Sequence, residues 1–302
     1  MPTISHDVLR DVSFRIFRAT GLPEEDARII SDHQVDSTLC GHDSHGVWLV
    51  PRYVGSMRDG YVGWDAHEVV RENATLAIID GHGANGIVAM TKVVGLAVEK
   101  ARASTFGAVA LRDVTHIARL GHYTPLMAEQ GMVGMVWTNV DGMFMGPFGS
   151  ADRRLRPSPL SFAVPRRNGP PFMLDMSLSV VAGGKIRQMV ANDKPLPDGW
   201  LIDQQGQYPS DGHRYDDLDT AILPLGDMQF GHKGYGLNMM MEMIVGPLSL
   251  AGCTKSAAES EGGGGVMLLA IDIQSFTDLD TYTGQVEGLG DWVHSARPLP
   301  GF

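Results

Sequence analysis

Apolar positions near the N-terminus recur at the spacing of an amphipathic helix. They predict a helix over 5–20, with Gly21 as a plausible end, and the positions that carry the pattern are Val8, Leu9, Val12, Ile16 and Phe17. Pro23 predicts the start of a second helix that runs through Asp36, with acids in the first turn where the helix dipole favours them. A third helical pattern covers 46–58. The N-terminal segment is therefore predicted to be mostly helical.

The pattern changes beyond residue 73, where short β-like runs alternate with helical ones. The β-like runs cover 74–80, 106–114, 132–138 and 266–273. Helical patterns cover 86–104, 120–131 and 233–250, and residues 158–176 are typical of two strands around a turn at 166–171. Alternation of this kind predicts α/β structure. We expect a helical domain over 1–73, completed by 238–302, and a β-rich domain over 74–237.

Charge and cysteine content exclude several classes of protein. The net charge is −11 and no Lys/Arg-rich run is present, so a nucleic-acid partner is not expected. Cys40 and Cys253 are too few for a disulfide framework, which fits a reducing cytoplasm. The N-terminus lacks the pattern of a signal peptide. Glu242 and Pro247 interrupt the longest apolar run, 237–253, which predicts a buried helix and no membrane span.

The glycine-rich stretch 81–86 matches the dinucleotide-binding fingerprint G-x-G-x-x-G. It follows a predicted strand and precedes a predicted helix, which is the required context. Asp113 ends the next strand, but it lies farther from the glycines than the usual ~20 residues. No second half of a doubly wound fold follows. A glycine-rich turn between strand and helix is therefore the favoured interpretation.

Ser44-His45-Gly46 is the first candidate for chemistry. A histidine can donate or accept a proton near neutral pH, and an adjacent hydroxyl can orient the imidazole or a substrate oxygen. The alternative is a histidine that caps a helix end. Asp175 follows an apolar strand, where a carboxylate could fix a histidine tautomer or serve only as a turn residue.

Basic residues suggest sites for an anion. His116 and His122 flank Arg119, a combination that suits an anionic ligand, although a solvated loop would also explain it. Lys233 is predicted at the start of a helix, where the dipole disfavours a cation unless an anion compensates. Together with His42 and His45, the two histidines beside Arg119 could suggest a metal. They lack the spacing of a metalloprotease site, so no metal is expected.

These motifs together resemble the malate/L-lactate dehydrogenase family that lacks a Rossmann domain. The resemblance spans nearly the whole chain, and its closest branch looks like hydroxycarboxylate dehydrogenase B through residues 116–123 and 44–51. The matching residues are Ser44-His45-Gly46, Pro51, Tyr53, His116, Gly121, Thr138-Asn139, Asp175-Met176-Ser177-Leu178-Ser179, Gly184-Lys185, Pro197-Asp198-Gly199-Trp200, Asp203, Gly206 and Lys233-Gly234-Tyr235-Gly236-Leu237.

The resemblance implies an NAD(P)-dependent oxidoreductase that interconverts 2-oxo and 2-hydroxy acids. It also implies an α/β fold with a non-Rossmann, mixed and largely antiparallel sheet for the cofactor, packed against a helical domain, and a homodimer. NAD is slightly favoured over NADP. His45 would be the acid/base, assisted by Ser44 and Asp175, with His116 as a second candidate. The residues implied to contact the dinucleotide are Arg119, Leu120, Gly121, Asp175, Met176, Ser177, Leu178, Ser179 and Lys233.

The chain departs from the family pattern in two ways. Many relatives carry arginine where this chain has Leu49, so Arg52 becomes the candidate for binding the substrate carboxylate. The family usually continues past position 302. Two alternatives therefore stay open: a reductase of a cyclic imine acid, and a shortened, inactive homologue that binds cofactor only.

Overall fold

The computed structural model describes residues 3–139, 142–254 and 264–301, which contain eight α-helices and nine strands. The helices are α1 (His6–Ala19), α2 (Glu24–Leu39), α3 (Val50–Asp59), α4 (Gly86–Ser104), α5 (Tyr123–Ala128), α6 (Gly183–Ala191), α7 (Asp227–Leu248) and α8 (Leu279–His294). The strands are β1 (Glu68–Glu72), β2 (Leu76–Ala84), β3 (Phe106–Val114), β4 (Met132–Thr138), β5 (Leu160–Val164), β6 (Phe172–Met176), β7 (Leu201–Asp203), β8 (Thr220–Ile222) and β9 (Val266–Asp272).

Seven strands form one mixed sheet in the order β1-β2-β3-β9-β4-β5-β6. Only β2 and β3 pair in parallel, and every other neighbouring pair in this sheet is antiparallel. Strands β7 and β8 form a separate antiparallel pair. The predicted mixed and largely antiparallel sheet is confirmed.

Helix α4 belongs to two hydrophobic cores at once. Val93 and Ala97 pack with strand residues beneath the large sheet. Ile87 and Val88, in the first turn of the same helix, pack with residues of α1, α2 and α3 such as Phe17. These side chains are almost fully buried, so Val93, Ile87 and Val88 each contribute about 1.5–3 kcal/mol when removed from water, and the methyl group of Ala97 contributes about 0.8 kcal/mol. The helical segment is thereby attached to the sheet.

The regular elements with clear periodicity lie where they were predicted. Helix α4 and strands β3 and β4 have the predicted bounds, and the two strands around 166–171 are β5 and β6. Helix α7 is different because it begins at Asp227, after Gly226 in the left-handed conformation, six residues before the predicted start at 233. The prediction followed the methionine-rich run and missed the first turns.

Two strands of the large sheet come from segments that were expected to belong to the helical domain. Strand β9 comes from the segment assigned to the helical domain, yet it lies between β3 and β4. Leu268 and Ala270 of β9 are fully buried there. Strand β1 lies before residue 73 and pairs with β2 at one edge. Strand β9 has apolar side chains at alternate positions and buries them in the sheet, although it lies far from the other strands in sequence.

The helices that the structure describes include none with the length and apolar character needed to span a membrane.

Gly107 allows β3 to pack against α4. A Cβ at this position would lie 1.9 Å from the carbonyl oxygen of Ala97, whereas a Cβ at Gly95, within α4, would meet nothing within 4 Å. We predict that Gly107→Ala lowers the free energy of unfolding by roughly 3 kcal/mol, the upper range for overpacking. Gly95→Ala should leave stability unchanged or raise it by up to about 1 kcal/mol. Urea denaturation of both variants checks this, and equal stabilities would contradict it.

Candidate active site

The end of α2 and the turns that follow it present Ser44 and His45. Residues Asp43–His45 and Val47–Leu49 form short 3₁₀ turns on either side of Gly46. A Cβ at Gly46 would lie 2.1 Å from Oγ1 of Thr38, and the same oxygen accepts the N–H of Val47 at 3.0 Å. The glycine of the motif is therefore required by the close approach of this turn to α2.

Three side chains surround the imidazole of His45. The hydroxyl oxygen of Ser44 lies 3.0 Å from Nδ1 of His45. The ring of His116 stacks on the ring of His45 with centroids 5.4 Å apart, and the ring of His42 meets it edge-on at 4.8 Å. The structure thus brings together Ser44, His45 and His116 from segments far apart in sequence.

Tyr53 of α3 contacts the second histidine. Its phenol oxygen lies 2.6 Å from Nδ1 of His116. Burial raises the pKa of Tyr53, so the phenol keeps its proton and can donate it in this hydrogen bond. His116 keeps part of its surface in contact with solvent.

His45 is neutral in this environment. Burial, followed by the neighbouring His116 and His42, lowers the pKa of His45 to about 3. Loss of surrounding water and the charge of Arg52 also lower the pKa of His116, the more exposed of the two. A neutral imidazole has one unprotonated nitrogen, so His45 can accept a proton from a bound ligand.

Asp175, at the end of β6, contacts the backbone of Gly121. Its Oδ2 accepts the Gly121 N–H at 2.7 Å and so joins β6 to the 119–121 turn. Burial raises the pKa of Asp175, while the Gly121 hydrogen bond and the positive charge of Arg119 oppose this shift. Within the described part of the chain, no hydrogen bond joins Asp175 directly to His45.

The segment after Asp175 is held by its own serines. Oγ of Ser177 lies 2.8 Å from Oγ of Ser179, which donates to the carbonyl oxygen of Val181 at 2.8 Å. Leu178 is fully buried against Leu160 and Met241, and Leu120 is buried in the sheet core. Because these two leucine side chains belong to hydrophobic cores, a ligand can meet Leu120 and Leu178 chiefly through their backbone.

Lys233 is not in the first turn of its helix, as the sequence suggested. It is the seventh residue of α7, and it is exposed. Its Nζ lies 5.7 Å from the centroid of the Phe230 ring. The argument from an unfavourable helix dipole is therefore wrong for this residue, since the dipole acts within the first turn. Lys233 stays a candidate only as an exposed cation.

Two residues that contribute to this site were not recognised from the sequence, His33 and Ser37, and His42 was considered only as a possible metal ligand. Nε2 of His33 accepts the Arg119 N–H at 3.1 Å, and Oγ of Ser37 accepts Nε–H of Arg119 at 3.3 Å. Polar residues at positions 33 and 37, four residues apart on a helix, were the available signal.

The glycine-rich stretch 81–86 does lie in a β-α-β unit, formed by β2, α4 and the parallel strand β3. The first N–H groups of α4 are already paired. Oδ1 of Asn85 accepts from Ile87 and Val88, and Oγ1 of Thr115 accepts from Gly86. A pyrophosphate would have to displace these partners, which disfavours a dinucleotide site at this helix end.

Among the described residues, the group closest to a metal-binding arrangement is Asp80, His82 and Asp113. Asp80 in this group is paired with Arg112 at 2.8 Å, and that guanidinium opposes a cation at the same place. The candidate active site provides no comparable group of ligands among those residues.

We predict that Gly83→Ala leaves NADH and NADPH affinity within a few-fold of the wild type. Gly83 has φ +80°, so alanine should instead cost about 1 kcal/mol or more of stability. Fluorescence titration and thermal unfolding of this variant measure the two effects. A large, selective loss of cofactor binding with intact folding would return the dinucleotide to this loop.

We also predict that stability is lost on acidification below about pH 6.5. His33 is fully buried, and the His122 side chain is 15 % exposed. Burial is the main cause that holds the pKa of His33 well below 6.5 and lowers the pKa of His122 to about 4, and neighbouring positive charge adds to both shifts. The unfolded chain takes up these protons first, so their contribution is complete above pH 6.5 and falls toward pH 4. Each histidine contributes a slope of about 1.4 kcal/mol per pH unit.

Denaturant unfolding between pH 7.5 and 4.5 measures this slope. His122→Gln should reduce it by the share of one histidine, whereas His294→Gln, on the exposed part of α8, should leave it unchanged. A slope unaffected by His122→Gln would contradict the prediction.

The family model for malate/L-lactate dehydrogenase matches residues 4–302. A malate dehydrogenase from Pyrococcus abyssi is 33% identical over 306 residues, which cover 99% of this chain and 84% of that protein. Hydroxycarboxylate dehydrogenase B from Escherichia coli O157:H7 is 35% identical over 241 residues, covering 78% of this chain and 64% of that protein.

Two solved structures are similar over the whole chain. Malate dehydrogenase from Pyrococcus horikoshii OT3 has a TM-score of 0.87 and 31% identity, with 100% of this chain and 84% of that chain covered. Δ1-piperideine-2-carboxylate reductase from Pseudomonas syringae has a TM-score of 0.84 and 25% identity, with 100% and 91% covered. The fold, the histidine-rich site and these matches lead to one conclusion: the chain belongs to the malate/L-lactate dehydrogenase family.

Proposed function

We propose that this protein is an NAD(P)-dependent oxidoreductase that interconverts a 2-oxo acid and its 2-hydroxy acid, with His45 as the acid/base. The observation that carries the proposal is the neutral His45 imidazole, which Ser44 orients at Nδ1 and His116 covers on one face. A base that must accept a hydroxyl proton needs such a fixed, unprotonated ring.

The role of His45 in each direction of the reaction depends on whether its imidazole carries a proton. In oxidation of a hydroxy acid, His45 accepts the hydroxyl proton, and Ser44 keeps the ring aligned. In reduction, His45 must first carry a proton. A substrate carboxylate bound nearby stabilises that cation and raises the pKa of His45, so the ligand itself favours the protonated ring.

Arg52 is the proposed partner of the substrate carboxylate. It precedes Tyr53 on α3, is exposed, and forms no salt bridge with a described residue. Its charge acts on both His45 and His116. An arginine there can take the part of the arginine that many relatives carry at the position of Leu49, since its planar fork suits a carboxylate.

The residues around the site fit a dinucleotide. Arg119 is buried, Lys185 and Lys233 are exposed, and none of the three forms a salt bridge with a described residue, so each has charge available for an anionic group. We propose that residues 119–121, residues 175–179 and Lys233 hold the cofactor, in part through backbone groups. When bound, the nicotinamide supplies or accepts the hydride. Asp175 holds the 119–121 turn through Gly121. NAD is slightly favoured over NADP.

His116 is the second candidate for proton transfer. Its contact with Tyr53 fixes its orientation, and its solvent exposure gives it a route to exchange protons with water. In this proposal His116 relays a proton to or from the site, whereas His45 serves the substrate oxygen.

We further propose a homodimer in the cytoplasm. Exposed apolar side chains follow one face of α7, where a second copy could cover them: Phe230, Leu237, Met240, Ile244 and Leu248. Cys40 and Cys253 are free, exposed thiols, which fits a reducing compartment.

A second candidate function is reduction of a cyclic imine acid. The similarity to the piperideine-2-carboxylate reductase favours it, and Leu49 leaves the substrate side of the site without the usual arginine. His45 would then protonate the ring nitrogen instead of an oxygen.

The experiment that tests the proposed function is a turnover screen with both reduced cofactors. 2-Oxo acids, with and without a second acidic group, and a cyclic imine acid would serve as substrates, beside fluorescence titration of NADH and NADPH. Turnover of a 2-oxo acid is the expected result. Turnover of the imine alone would favour the second candidate, and cofactor binding without any turnover would indicate an inactive homologue.

We predict that His45→Ala lowers turnover about 10²–10⁴-fold, the range for loss of general acid–base catalysis. Cofactor affinity should change little, because the imidazole acts on the substrate. His213→Ala, an exposed histidine, is the control. Near-normal turnover of His45→Ala would move the acid/base role to His116.

A further inference from the structure

We infer that His33 and Ser37 are positioning residues that hold Arg119 in place for binding an anionic ligand, an inference that rests on the proposed cofactor site. Neither residue was part of any motif in the sequence. Both lie on α2, outside the group of side chains around His45.

The two residues accept hydrogen bonds from different parts of Arg119. They lie four positions apart, so they share one face of α2. Nε2 of His33 accepts the backbone N–H of Arg119 at 3.1 Å, whereas Oγ of Ser37 accepts the side-chain Nε–H at 3.3 Å. Both residues are fully buried. One helix therefore fixes the main chain and the guanidinium of the same residue.

The donors and acceptors are consistent with this arrangement. Ser37 gives its own hydroxyl proton to the carbonyl oxygen of His33 at 2.8 Å, which leaves its lone pairs free to accept from Arg119. His33 must have an unprotonated Nε2, so its neutral ring carries the hydrogen on Nδ1, which is buried and has no hydrogen-bond partner among the described residues. Burial and the nearby His122 keep the pKa of His33 low and maintain this neutral form.

Arg119 is left with donors for a ligand. Only 6 % of the residue is exposed, and it makes no salt bridge with a described residue. Its Nη1 lies beside the turn that Asp175 holds, since a Cβ at Gly121 would be 2.9 Å from Nη1 and 2.8 Å from Oδ2 of Asp175. The Asp175 carboxylate is near enough for the charge of Arg119 to lower its pKa, but no salt bridge joins the two side chains. The guanidinium therefore keeps donors for an added anion, which it binds well only if its direction is fixed.

A purely structural role would give a different result. If α2 merely anchors the 117–121 segment, loss of either contact should lower stability and leave cofactor binding unchanged in the folded protein. If the contacts direct Arg119, binding should weaken beyond any change in stability.

Ser37→Ala and Ser31→Ala form a matched pair that separates these roles. Ser31 is also fully buried on α2 and also donates to the carbonyl oxygen four residues earlier, at 2.7 Å, but it does not contact Arg119. Both variants lose one such bond and should lose similar stability. Ser37→Ala should raise the dissociation constant of NADH about 3- to 10-fold, while Ser31→Ala stays within about twofold of the wild type.

His33→Gln and His33→Met test the second contact. Glutamine retains an acceptor for the Arg119 N–H and methionine does not, at similar size. We expect His33→Met to raise the NADH dissociation constant about tenfold, with KM for the cofactor rising more than kcat falls, and His33→Gln to restore most of the affinity.

The outcomes are separable. A wild-type protein that binds neither NADH nor NADPH would overturn the proposed cofactor site and this inference together. If the wild type binds but Ser37→Ala equals Ser31→Ala, the inference alone fails. The same holds if His33→Gln binds as poorly as His33→Met. The Ser37 pair keeps the test decisive even if His33→Met does not fold.

Discussion

The docking of α4 on both the helical segment and the large sheet is the constraint on which the candidate site depends. Ser44, His45 and Tyr53 come from the helical segment, whereas His116 and Asp175 follow β3 and end β6. These groups meet only where the two layers are held together. Val93 and Ala97 on one side of α4, and Ile87 on the other, supply that attachment through burial of apolar surface. The candidate catalytic side chains are thus brought together where the two hydrophobic cores meet.

Hydrogen bonds then fix the orientation of side chains in the site, which apolar packing alone does not determine. Asp175 accepts from Gly121, Tyr53 contacts His116, and Ser44 contacts His45, so each reactive group is oriented by a neighbour from another part of the chain. Helix α2 adds contacts from behind the site. Because Ser44 and Tyr53 are buried, leaving either hydroxyl unpaired would cost about 1–3 kcal/mol, which favours one arrangement over others.

The glycine-rich stretch 81–86 shows that a local sequence motif does not by itself make a binding site. The stretch 81–86 has the sequence and the β-α-β setting of a dinucleotide fingerprint, yet Asn85 and Thr115 occupy the donors that a phosphate would need. The surrounding strands are antiparallel. A fingerprint is defined by residue spacing, whereas a phosphate site is defined by unpaired N–H groups, and the two need not coincide.

The amino-acid sequence by itself determined the elements with strong periodicity, such as α4, β3 and β4, and the family resemblance carried the mixed sheet and the candidate residues at 44, 45, 116 and 175. It could not place β1, whose residues are all exposed, or the first turns of α7, which precede the apolar run. Only the tertiary structure decided that β9 lies in the middle of the sheet, that Leu120 and Leu178 face cores, and that His33 and Ser37 hold Arg119. The physical reason is that periodicity records which side of an element is buried, whereas partners across the fold depend on contacts between residues far apart in sequence.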